Sequence, residues 1–180
     1  MLHKPLLSSP KFDLTIKRLC YQLIENHNNF SNTAIIGLQP RGIYLANRIK
    51  EELSKILPKA HIDCGNLDIT FFRDDFRRRE SPLVPNATNI NFIIEGKKVI
   101  LVDDVLFTGR TIRAGMDAML AYGRPKKIEL LVLVDRRFSR EIPIEPDYIG
   151  IQVDSIASQN VRVSWKETEG TDIVELITGK

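Results

Sequence analysis

The centre of the chain carries a buried-strand pattern, a helix pattern and a second strand pattern in direct succession. The strands are predicted over residues 98–102 and 128–134, and the helix between them has apolar positions Ile112, Met116, Met119 and Leu120 and ends near Gly123. A strand, a helix and a strand in series form a right-handed parallel crossover, with both faces of the sheet covered. The sequence therefore predicts an α/β protein with a central parallel sheet.

The N-terminal third repeats this alternation. Apolar spacing predicts an amphipathic helix over about residues 13–26, followed by a strand at 34–38, a turn at 39–42 and a second helix. Residues 62–71 favour extended structure, in which the pair Gly65–Asn66 marks either a turn or a bulge. Antiparallel strands are predicted to finish the chain, around Val161 to Trp165 and Ile173 to Ile177.

Composition limits the possible functions without naming one. The 180 residues are 43% hydrophobic and carry a formal charge of +3, too small to indicate a nucleic-acid-binding protein without clustering. Cys20 and Cys64 lack the spacing of a disulfide framework or a zinc site. No apolar run approaches the roughly 18 residues of a membrane span, and the N-terminus lacks a signal-peptide core. We expect one domain over residues 1–180, a cytoplasmic location and no membrane partner.

A long polar segment, about residues 73–95, interrupts these patterns with prolines and with the run Arg77-Arg78-Arg79. Long loops inside compact domains often act as functional lids. We interpret the segment as a candidate mobile loop, and a solvated variable loop is the equal alternative.

The turn between the central strand and its helix has the composition of a phosphate site. Thr108, Gly109, Arg110 and Thr111 supply two hydroxyls, a residue without Cβ and a cation directly before the helix. Unpaired N–H groups and the dipole at a helix N-terminus attract anions. The segment matches neither a Walker A loop nor a dinucleotide GxGxxG pattern. It predicts a different kind of phosphate cradle at the carboxyl end of the strand.

Two adjacent carboxylates, Asp103 and Asp104, precede this cradle. Carboxylates beside a phosphate are repelled unless they meet hydroxyls or a metal-bound group. A sugar phosphate satisfies both groups, because vicinal ribose hydroxyls can donate to the carboxylates while the helix N-terminus holds the 5′-phosphate. Asp103 or Thr108 taken singly could be a helix cap, but the assembled segment predicts a ribose 5-phosphate site.

The segment VILVDDVLFTGRTIRAG, residues 99–115, closely resembles the phosphoribosyl pyrophosphate signature of type I phosphoribosyltransferases. Three further segments narrow the resemblance: GLQPRGIYLANRI at 37–49, LDITFFRDDF at 67–76 and LVDRRFSREIPIEPDYIG at 133–150. Together they are similar to the pyrimidine operon regulator and uracil phosphoribosyltransferase family, PyrR. The resemblance implies the type I phosphoribosyltransferase fold, a central parallel sheet flanked by helices, with a mobile loop over about 73–95 and a small hood from about residue 135.

The resemblance implies transfer of the 5-phosphoribosyl group of phosphoribosyl pyrophosphate to N1 of uracil, which gives UMP and pyrophosphate. Asp103 and Asp104 would hold the ribose hydroxyls and favour the positive charge that develops at C1′. The four cradle residues 108–111 would hold the 5′-phosphate. Mg²⁺ would bind mainly through the substrate, with Asp103 and Asp104 as further candidate ligands.

Pro40, Arg41 and Gly42 match the family's pyrophosphate loop, where Arg41 would offset the charge of the leaving group. A cis Gln39–Pro40 bond costs only about 0.5–1 kcal/mol, so cis and trans are equal alternatives.

Two further sets of three residues match the family's mobile loop and base-binding hood, namely Arg73, Asp74 and Asp75 in the loop and Asp135, Arg136 and Val161 in the hood. Loop closure would exclude water from a cation-like transition state. The family also implies a homodimer.

Family members that regulate transcription bind a messenger RNA hairpin, and this chain departs from them in its basic residues. Glu145 and Ile151 replace basic residues, Tyr21 stands where histidine can occur, and the hood stretch 136–140 lacks a histidine and is one residue longer. Each lost phosphate contact weakens RNA binding, so we expect little or no attenuator function. Two alternatives remain: a phosphoribosyltransferase for a purine base, and a non-catalytic RNA-binding regulator that senses nucleotides.

Overall fold

The computed structural model describes residues 2–74, 85–156 and 158–179. In chain order the elements are β1 (Leu2–Leu7), α1 (Ser9–His27), β2 (Thr33–Leu38), α2 (Gly42–Ile56), β3 (Asp63–Leu67), a 3₁₀ turn (Thr70–Phe72), β4 (Lys98–Leu106), α3 (Arg110–Met119), β5 (Lys127–Arg137), β6 (Tyr148–Asp154), β7 (Gln159–Ser164), α4 (Lys166–Glu169) and β8 (Ile173–Thr178).

The central sheet has five strands in the order β3-β2-β4-β5-β6, and every neighbouring pair is parallel. A second sheet has the order β1-β8-β7 with antiparallel pairs. The predicted α/β fold with a central parallel sheet is confirmed, as are the antiparallel strands at the end of the chain. Because the five strands are parallel, their carboxyl ends meet at one edge of the sheet, where the following loops lie together.

Both faces of the central sheet are covered by apolar side chains. The neighbours Ile35 and Ile36 in β2 point to opposite faces and belong to two different core clusters. Ile35 packs in the cluster that includes Leu45 and Ile49 of α2, and Ile36 packs in the cluster that includes Ile112 of α3. This two-sided burial explains why the strand sequences are continuously apolar rather than alternating.

Three elements differ from the sequence prediction at the ends of the chain. Helix α1 begins at Ser9, four residues before the predicted start, and Pro10 is compatible with its first turn. Strand β1 was not predicted; it pairs with β8, with Leu2 opposite Thr178. Strand β6 was not predicted either, and it completes the parallel sheet beside β5. Strand β1 forms because it pairs with β8 from the other end of the chain, and the local sequence of residues 2–7 does not indicate that pairing.

The pair Gly65–Asn66 is neither a turn nor a bulge, because β3 continues through it with regular parallel pairing to β2. A Cβ on Gly65 would lie 2.7 Å from the carbonyl oxygen of Asn89. The glycine is therefore explained by the close passage of another segment, which also forms an isolated bridge between Asn66 and Asn89.

In the centre of the chain, the ends of β5 and α3 also differ from the predicted ends. Strand β5 extends to Arg137, three residues beyond the predicted end, and α3 ends at Met119 rather than near Gly123. Leu120 was predicted on the buried face of that helix but is 60% exposed, because the helix has already ended. In the part of the chain that the structure describes, none of the helices combines the length and the apolar character that crossing a bilayer requires.

Candidate active site

Asp103 and Asp104 lie inside β4, which continues to Leu106. The sequence pattern ended this strand at residue 102; the structure extends it because β5 pairs alongside, with Leu106 opposite Asp135. The side chains of both acids are buried, at 7% and 8% residue exposure. The backbone N–H of Asp104 donates to Oδ1 of Asp103 at 2.9 Å. Strand pairing therefore fixes both carboxyl groups at the edge of the sheet.

The surroundings raise the pKa of both acids. Burial raises the pKa of Asp103 well above its usual range, and the adjacent charge of Asp104 raises it further. Burial also raises the pKa of Asp104, whereas the hydrogen bond from Arg41 opposes that rise. A positive charge placed next to the pair lets both groups ionise. The pair is therefore suited to stabilise a cation that forms in contact with it.

Arg41 connects the first strand-to-helix turn to these acids. Its Nε donates to Oδ2 of Asp104 at 3.0 Å, and its Nη1 donates to Oε1 of Glu169 at 3.3 Å. Its Nη2 donates to the carbonyl oxygen of Val163. Glu169 also accepts a hydrogen bond from the backbone N–H of Trp165 at 2.9 Å. The C-terminal segment thus holds Arg41 against Asp104 across more than a hundred residues of chain.

The turn that carries Arg41 passes very close to β4. Its Gln39–Pro40 peptide bond is cis, one of the two alternatives left open by the sequence. A Cβ on Gly42 would lie 2.4 Å from the carbonyl oxygen of Val102 and 3.0 Å from the Cα of Asp103. Only glycine permits that approach, so Gly42 sets the distance between this turn and the acids.

The loop after β4 forms the N-terminal end of α3. Gly109 caps the helix with a left-handed backbone, φ 91°, and Arg110 and Thr111 are the first helical residues. The first turn of α3 contains no acidic side chain. Its N–H groups and dipole are therefore not offset locally, and they present a partial positive charge to whatever lies in front of the loop.

A cleft of about 310 Å³, which we call the first cleft, lies between this loop and the acids; it is lined by Arg73, Asp74, Asp103 and residues 105–112. The positive charge of Arg73 opposes the rise in the pKa of Asp103. Arg110 stands at the rim, where its Nε donates to Oε2 of Glu141 at 2.5 Å and its Nη1 pairs with Asp74. The structure thus brings the predicted cradle, Asp103 and the start of the predicted lid to one cleft, whereas Asp104 contacts Arg41 and does not line it.

The predicted mobile loop is described only at its ends. Arg73 and Asp74 border the first cleft, while Asp75 and the arginine run after it lie outside the described residues. At the other end, the carbonyl oxygen of Ala87 accepts a hydrogen bond from Nε2 of Gln39 at 3.1 Å. The two ends therefore contact the cradle and the turn of Arg41, respectively.

A second cleft, of about 610 Å³, opens on the other side of Phe107; it is lined by Phe107, Phe138, Ser139, Glu141, Asp154, Ser155 and Ile156. Phe107 borders both clefts. A flat ring can stack on an exposed phenylalanine, and the polar residues around it supply hydrogen-bonding groups. The second cleft therefore fits a planar heterocycle next to the first cleft.

Asp135 and Arg136 end β5 beside this second cleft, at 5% and 4% exposure. Asp135 forms an ion pair with Arg140, and the guanidinium of Arg136 lies 3.9 Å from the ring centroid of Phe107. Val161 lies elsewhere: it belongs to β7 and packs against the larger core cluster. Of the three predicted hood residues, Arg136 contacts the lining of the cleft through Phe107 and Ser155, Asp135 pairs with Arg140 outside that lining, and Val161 contributes to packing.

Asp103 and Asp104 are the candidate ligands for a metal ion. Within residues 2–74, 85–156 and 158–179, no group of three or more His, Cys, Asp or Glu side chains is arranged to hold an ion. Asp103 and Asp104 are nevertheless hard oxygen donors, and Mg²⁺ is commonly bound through one or two carboxylates together with substrate phosphates. The residues therefore fit Mg²⁺ that arrives with a phosphorylated substrate.

Sequence reasoning missed several residues of this region. Phe107 could have been found, because an aromatic residue directly before the cradle must lie at the mouth of the site. Glu141 and Glu169 carry no such signal, since each reaches its arginine from a distant part of the chain. Phe138, which is 82% exposed with a φ of 65°, was noted only as a departure in length.

Comparison with known proteins shows which family the chain belongs to. The model of the phosphoribosyl transferase domain matches residues 4–168. The chain is 43% identical to "Bifunctional protein PyrR" of Desulfosudis oleivorans over 174 residues, which cover 97% of this chain and 96% of the relative. It is 40% identical to "Bifunctional protein pyrR" of Enterococcus faecalis over 179 residues, 99% of each chain.

Solved structures share the fold at low sequence identity. A hypoxanthine-guanine phosphoribosyltransferase from Bacillus anthracis aligns with a TM-score of 0.71 at 16% identity, covering 99% of this chain and 100% of that one. The hypoxanthine phosphoribosyltransferase of Trypanosoma cruzi aligns with a TM-score of 0.72 at 14% identity, covering 98% and 97%. At such identities the likeness establishes the fold and leaves the base undecided.

Proposed function

The chain belongs to the phosphoribosyltransferase family, as a PyrR-like member with the type I fold, and from that premise we propose that it transfers the 5-phosphoribosyl group of phosphoribosyl pyrophosphate to N1 of uracil, giving UMP and pyrophosphate. The observation that carries the proposal is the buried pair Asp103 and Asp104, which lies between a helix N-terminus and Arg41. A ribose ring with a phosphate on one side and pyrophosphate on the other matches that arrangement.

The 5′-phosphate is assigned to the loop of Thr108, Gly109, Arg110 and Thr111. Its backbone N–H groups and the dipole of α3 supply positive charge without a carboxylate in the first turn. The glycine allows the loop to approach the phosphate closely. Arg110, which now pairs with Asp74 and Glu141 at the rim, supplies a cation that can turn to the phosphate.

The ribose is assigned to Asp103 and Asp104. Each carboxylate can accept a hydrogen bond from a ribose hydroxyl, and burial strengthens the electrostatic effect of both. The C1′ carbon becomes positively charged as pyrophosphate leaves, and the negative pair stabilises that charge. Mg²⁺ bound through the substrate phosphates, with Asp103 and Asp104 as further candidate ligands, would neutralise charge on the leaving group.

Pyrophosphate is assigned to the turn of Pro40, Arg41 and Gly42. The close packing of Gly42 on β4 places the backbone of this turn beside Asp103. Arg41 is already within hydrogen-bond distance of Asp104, so its charge lies where negative charge develops on the departing oxygen. Catalytic roles are thus proposed for Asp103, Asp104 and Arg41.

Arg73, Asp74 and Asp75 are proposed to belong to the loop that closes over the reactants, within about residues 73–95. The contacts of Arg73 and Asp74 with the first cleft support this role. A closed loop keeps water away from the cation-like carbon, which water would otherwise capture.

The base is assigned to the second cleft, with Asp135 and Arg136 as hood residues; the predicted third hood residue, Val161, packs against the core instead. The stacking surface of Phe107 supports this placement, because that ring borders the ribose-phosphate site. Uracil is the proposed base on the family resemblance. A purine base is the second candidate, because a cleft of about 610 Å³ has room for a two-ring heterocycle.

Hairpin RNA binding is proposed to be weak or absent, although the curated relatives are named bifunctional. Glu145 is exposed and acidic, and Tyr21 is 56% exposed where a basic residue would assist. Exposed acids repel a phosphate backbone. A non-catalytic regulator of this kind is therefore the less favoured alternative. The resemblance also supports a homodimer and residues 1–180 acting as one domain with a hood from about residue 135.

The proposal is tested by pyrophosphate release from phosphoribosyl pyrophosphate and Mg²⁺, with uracil, hypoxanthine, guanine and orotate offered in parallel. Uracil-dependent release is the expected result. Release with a purine alone would keep the chemistry and reject uracil. Binding of phosphoribosyl pyrophosphate without turnover of any base would reject the enzymatic function. A salt-dependent gel shift with hairpin RNA completes the test, and saturable binding at physiological salt would contradict the weak-binding proposal.

A further inference from the structure

Arg136 is a buried arginine whose charge is not neutralised by any carboxylate in the described parts of the chain. Its Nε donates to Oγ of Ser155 at 3.0 Å and its Nη2 donates to the carbonyl oxygen of Gln159 at 2.7 Å, and both acceptors are uncharged. Burial lowers the pKa of Arg136, with no carboxylate opposing the effect. Buried charges are normally paired, so this arrangement needs an explanation.

The carboxylates around the second cleft are already paired with other arginines. Asp154 accepts from Nε of Arg137 at 2.6 Å, and Glu141 accepts from Nε of Arg110 at 2.5 Å. Asp135, next to Arg136 in sequence, pairs with Arg140. Each of these three acids thus has an arginine partner of its own or, for Glu141, shares Arg110 with Asp74, and Arg136 pairs with none of them.

This charge acts on the cleft through one aromatic ring. The guanidinium carbon of Arg136 lies 3.9 Å from the ring centroid of Phe107, which is 41% exposed and borders both clefts. A ring stacked on the open face of Phe107 would be separated from the guanidinium by the phenyl ring alone. Buried charges are weakly screened, so the field of Arg136 reaches such a ligand.

We propose that the unpaired charge of Arg136, acting through Phe107, favours the anionic ring nitrogen of the base that attacks C1′, an inference that rests on the proposed function. In that step the N–H bond of the base breaks and its electron pair forms the N–C1′ bond. The C1′–O bond breaks and its electron pair leaves with pyrophosphate, while the proton passes to water at the open cleft. None of the paired carboxylates is needed to take the proton.

Arg136 is therefore a positioning residue that acts by its field and does not itself accept the proton. The class of base that benefits is one with an acidic ring N–H, as in pyrimidines that carry two carbonyl groups. A base whose N–H is already more acidic depends less on this field, because less stabilisation is required to remove its proton.

The test compares uracil with 5-fluorouracil, whose ring N–H is more acidic, in Arg136→Gln. We expect kcat/KM for uracil to fall about 10-fold or more and that for 5-fluorouracil about threefold or less, so that their ratio changes by at least about threefold. Arg136→Lys keeps the charge and should restore most of the ratio. Arg113→Gln is the matched control, because Arg113 is an exposed arginine of α3 that pairs with Asp117 and lines neither cleft, and its ratio should equal that of the wild type.

The fold of each variant is checked by thermal unfolding and by binding of phosphoribosyl pyrophosphate. Should Arg136→Gln fail to fold, Phe107→Ser exposes the guanidinium to water, which screens its charge, and the same change in the ratio is expected. An equal loss with both bases, in variants that still bind phosphoribosyl pyrophosphate, would overturn the inference.

Failure of the proposed function gives a different result. A wild type that uses hypoxanthine and not uracil would reject the proposed base, and the same ratio measured with hypoxanthine and a more acidic purine analogue would then decide the role of Arg136. A wild type that turns over no base would reject both proposals.

Discussion

The two clefts that meet at Phe107 are built in different ways. The first is lined almost entirely by one continuous stretch, Asp103 with residues 105–112, and only Arg73 and Asp74 come from elsewhere. The second is assembled from three separate segments, around Phe107, around Phe138 and around Ser155. A phosphate can be bound by backbone N–H groups and a helix dipole, which successive residues supply together. A planar base has to be enclosed from several directions, so its cleft depends on segments that only folding brings together.

The clefts also differ in how their charges are held. Asp103 in the first cleft and the neighbouring Asp104 are buried, and burial raises the pKa of both carboxyl groups. Around the second cleft Asp135, Glu141 and Asp154 are paired with arginines, and Arg136 is a buried charge without a carboxylate partner among the described residues. We therefore expect changes in the first cleft to affect the chemical step and changes in the second to affect the choice and affinity of the base.

The largest effect is expected for Asp104→Asn. Turnover should fall about 10²–10³-fold, because the variant loses a charge that stabilises the developing cation. Steady-state pyrophosphate release measures it, and thermal unfolding should change little, since the side chain contributes charge rather than apolar packing. Asp117→Asn on the exposed side of α3 is the control. Retained activity together with a melting-temperature loss typical of a core mutation would contradict the assignment.

Gly42→Ala tests how tightly the first cleft is packed. The new methyl group would lie 2.4 Å from the carbonyl oxygen of Val102, so the turn must move. We expect a loss of about 1–3 kcal/mol in the free energy of unfolding, measured with urea. Gly179→Ala is the matched control, because its Cβ would meet nothing closer than the carbonyl oxygen of Ser158 at 3.8 Å. Equal stability of the two variants would show that the turn adapts at no cost.

Asp103→Asn tests the raised pKa of Asp103 through the pH dependence of the free energy of unfolding. The folded protein holds a proton on Asp103 that the unfolded chain has already lost above about pH 4, because the folded pKa is raised. Wild-type stability should therefore fall as pH rises from about 4 through the raised pKa, by about 1.4 kcal/mol for each unit of the shift.

The variant should lack the part of this decline that Asp103 causes, so its free energy of unfolding relative to the wild type should increase as the pH rises above about 4. Urea unfolding at several pH values measures the difference, with Asp117→Asn as the control for loss of one exposed carboxylate. A difference that stays constant with pH would contradict the raised pKa.

The smallest effect is expected in the second cleft, for Phe138→Ala. Loss of one exposed ring that borders the base removes stacking worth about 0.5–1.5 kcal/mol, so KM for the base should rise about 2- to 12-fold. KM for phosphoribosyl pyrophosphate should stay the same, because Phe138 does not line the first cleft. Tyr122→Ala, an exposed ring beyond the end of α3, is the control. An equal rise in both KM values would remove the distinction between the clefts.

The sequence predicted which residues lie near the end of β4, although their roles in binding stay predictions. Asp103 and Asp104, the cradle 108–111 and the turn of Arg41 are each local patterns whose chemistry follows from adjacent residues. The exact end of β4 could not be predicted from the sequence. The strand continues through Asp103 and Asp104 because β5 pairs beside it. The base-binding role of the hood residues stays a prediction: Arg136 contacts Phe107 of the second cleft, Asp135 pairs with Arg140, and Val161 packs against the core.

The sequence by itself determined the parallel α/β fold and placed a contiguous loop at the N-terminus of α3, since hydrophobic periodicity and the residues of such a loop are local properties of the chain. The tertiary structure decided which charges are paired. Glu169 holds Arg41 and Glu141 holds Arg110, while Arg136 is left beside Phe107 without a carboxylate among the described residues. These outcomes depend on distances between segments that lie far apart in sequence, and burial then determines how strongly each charge acts.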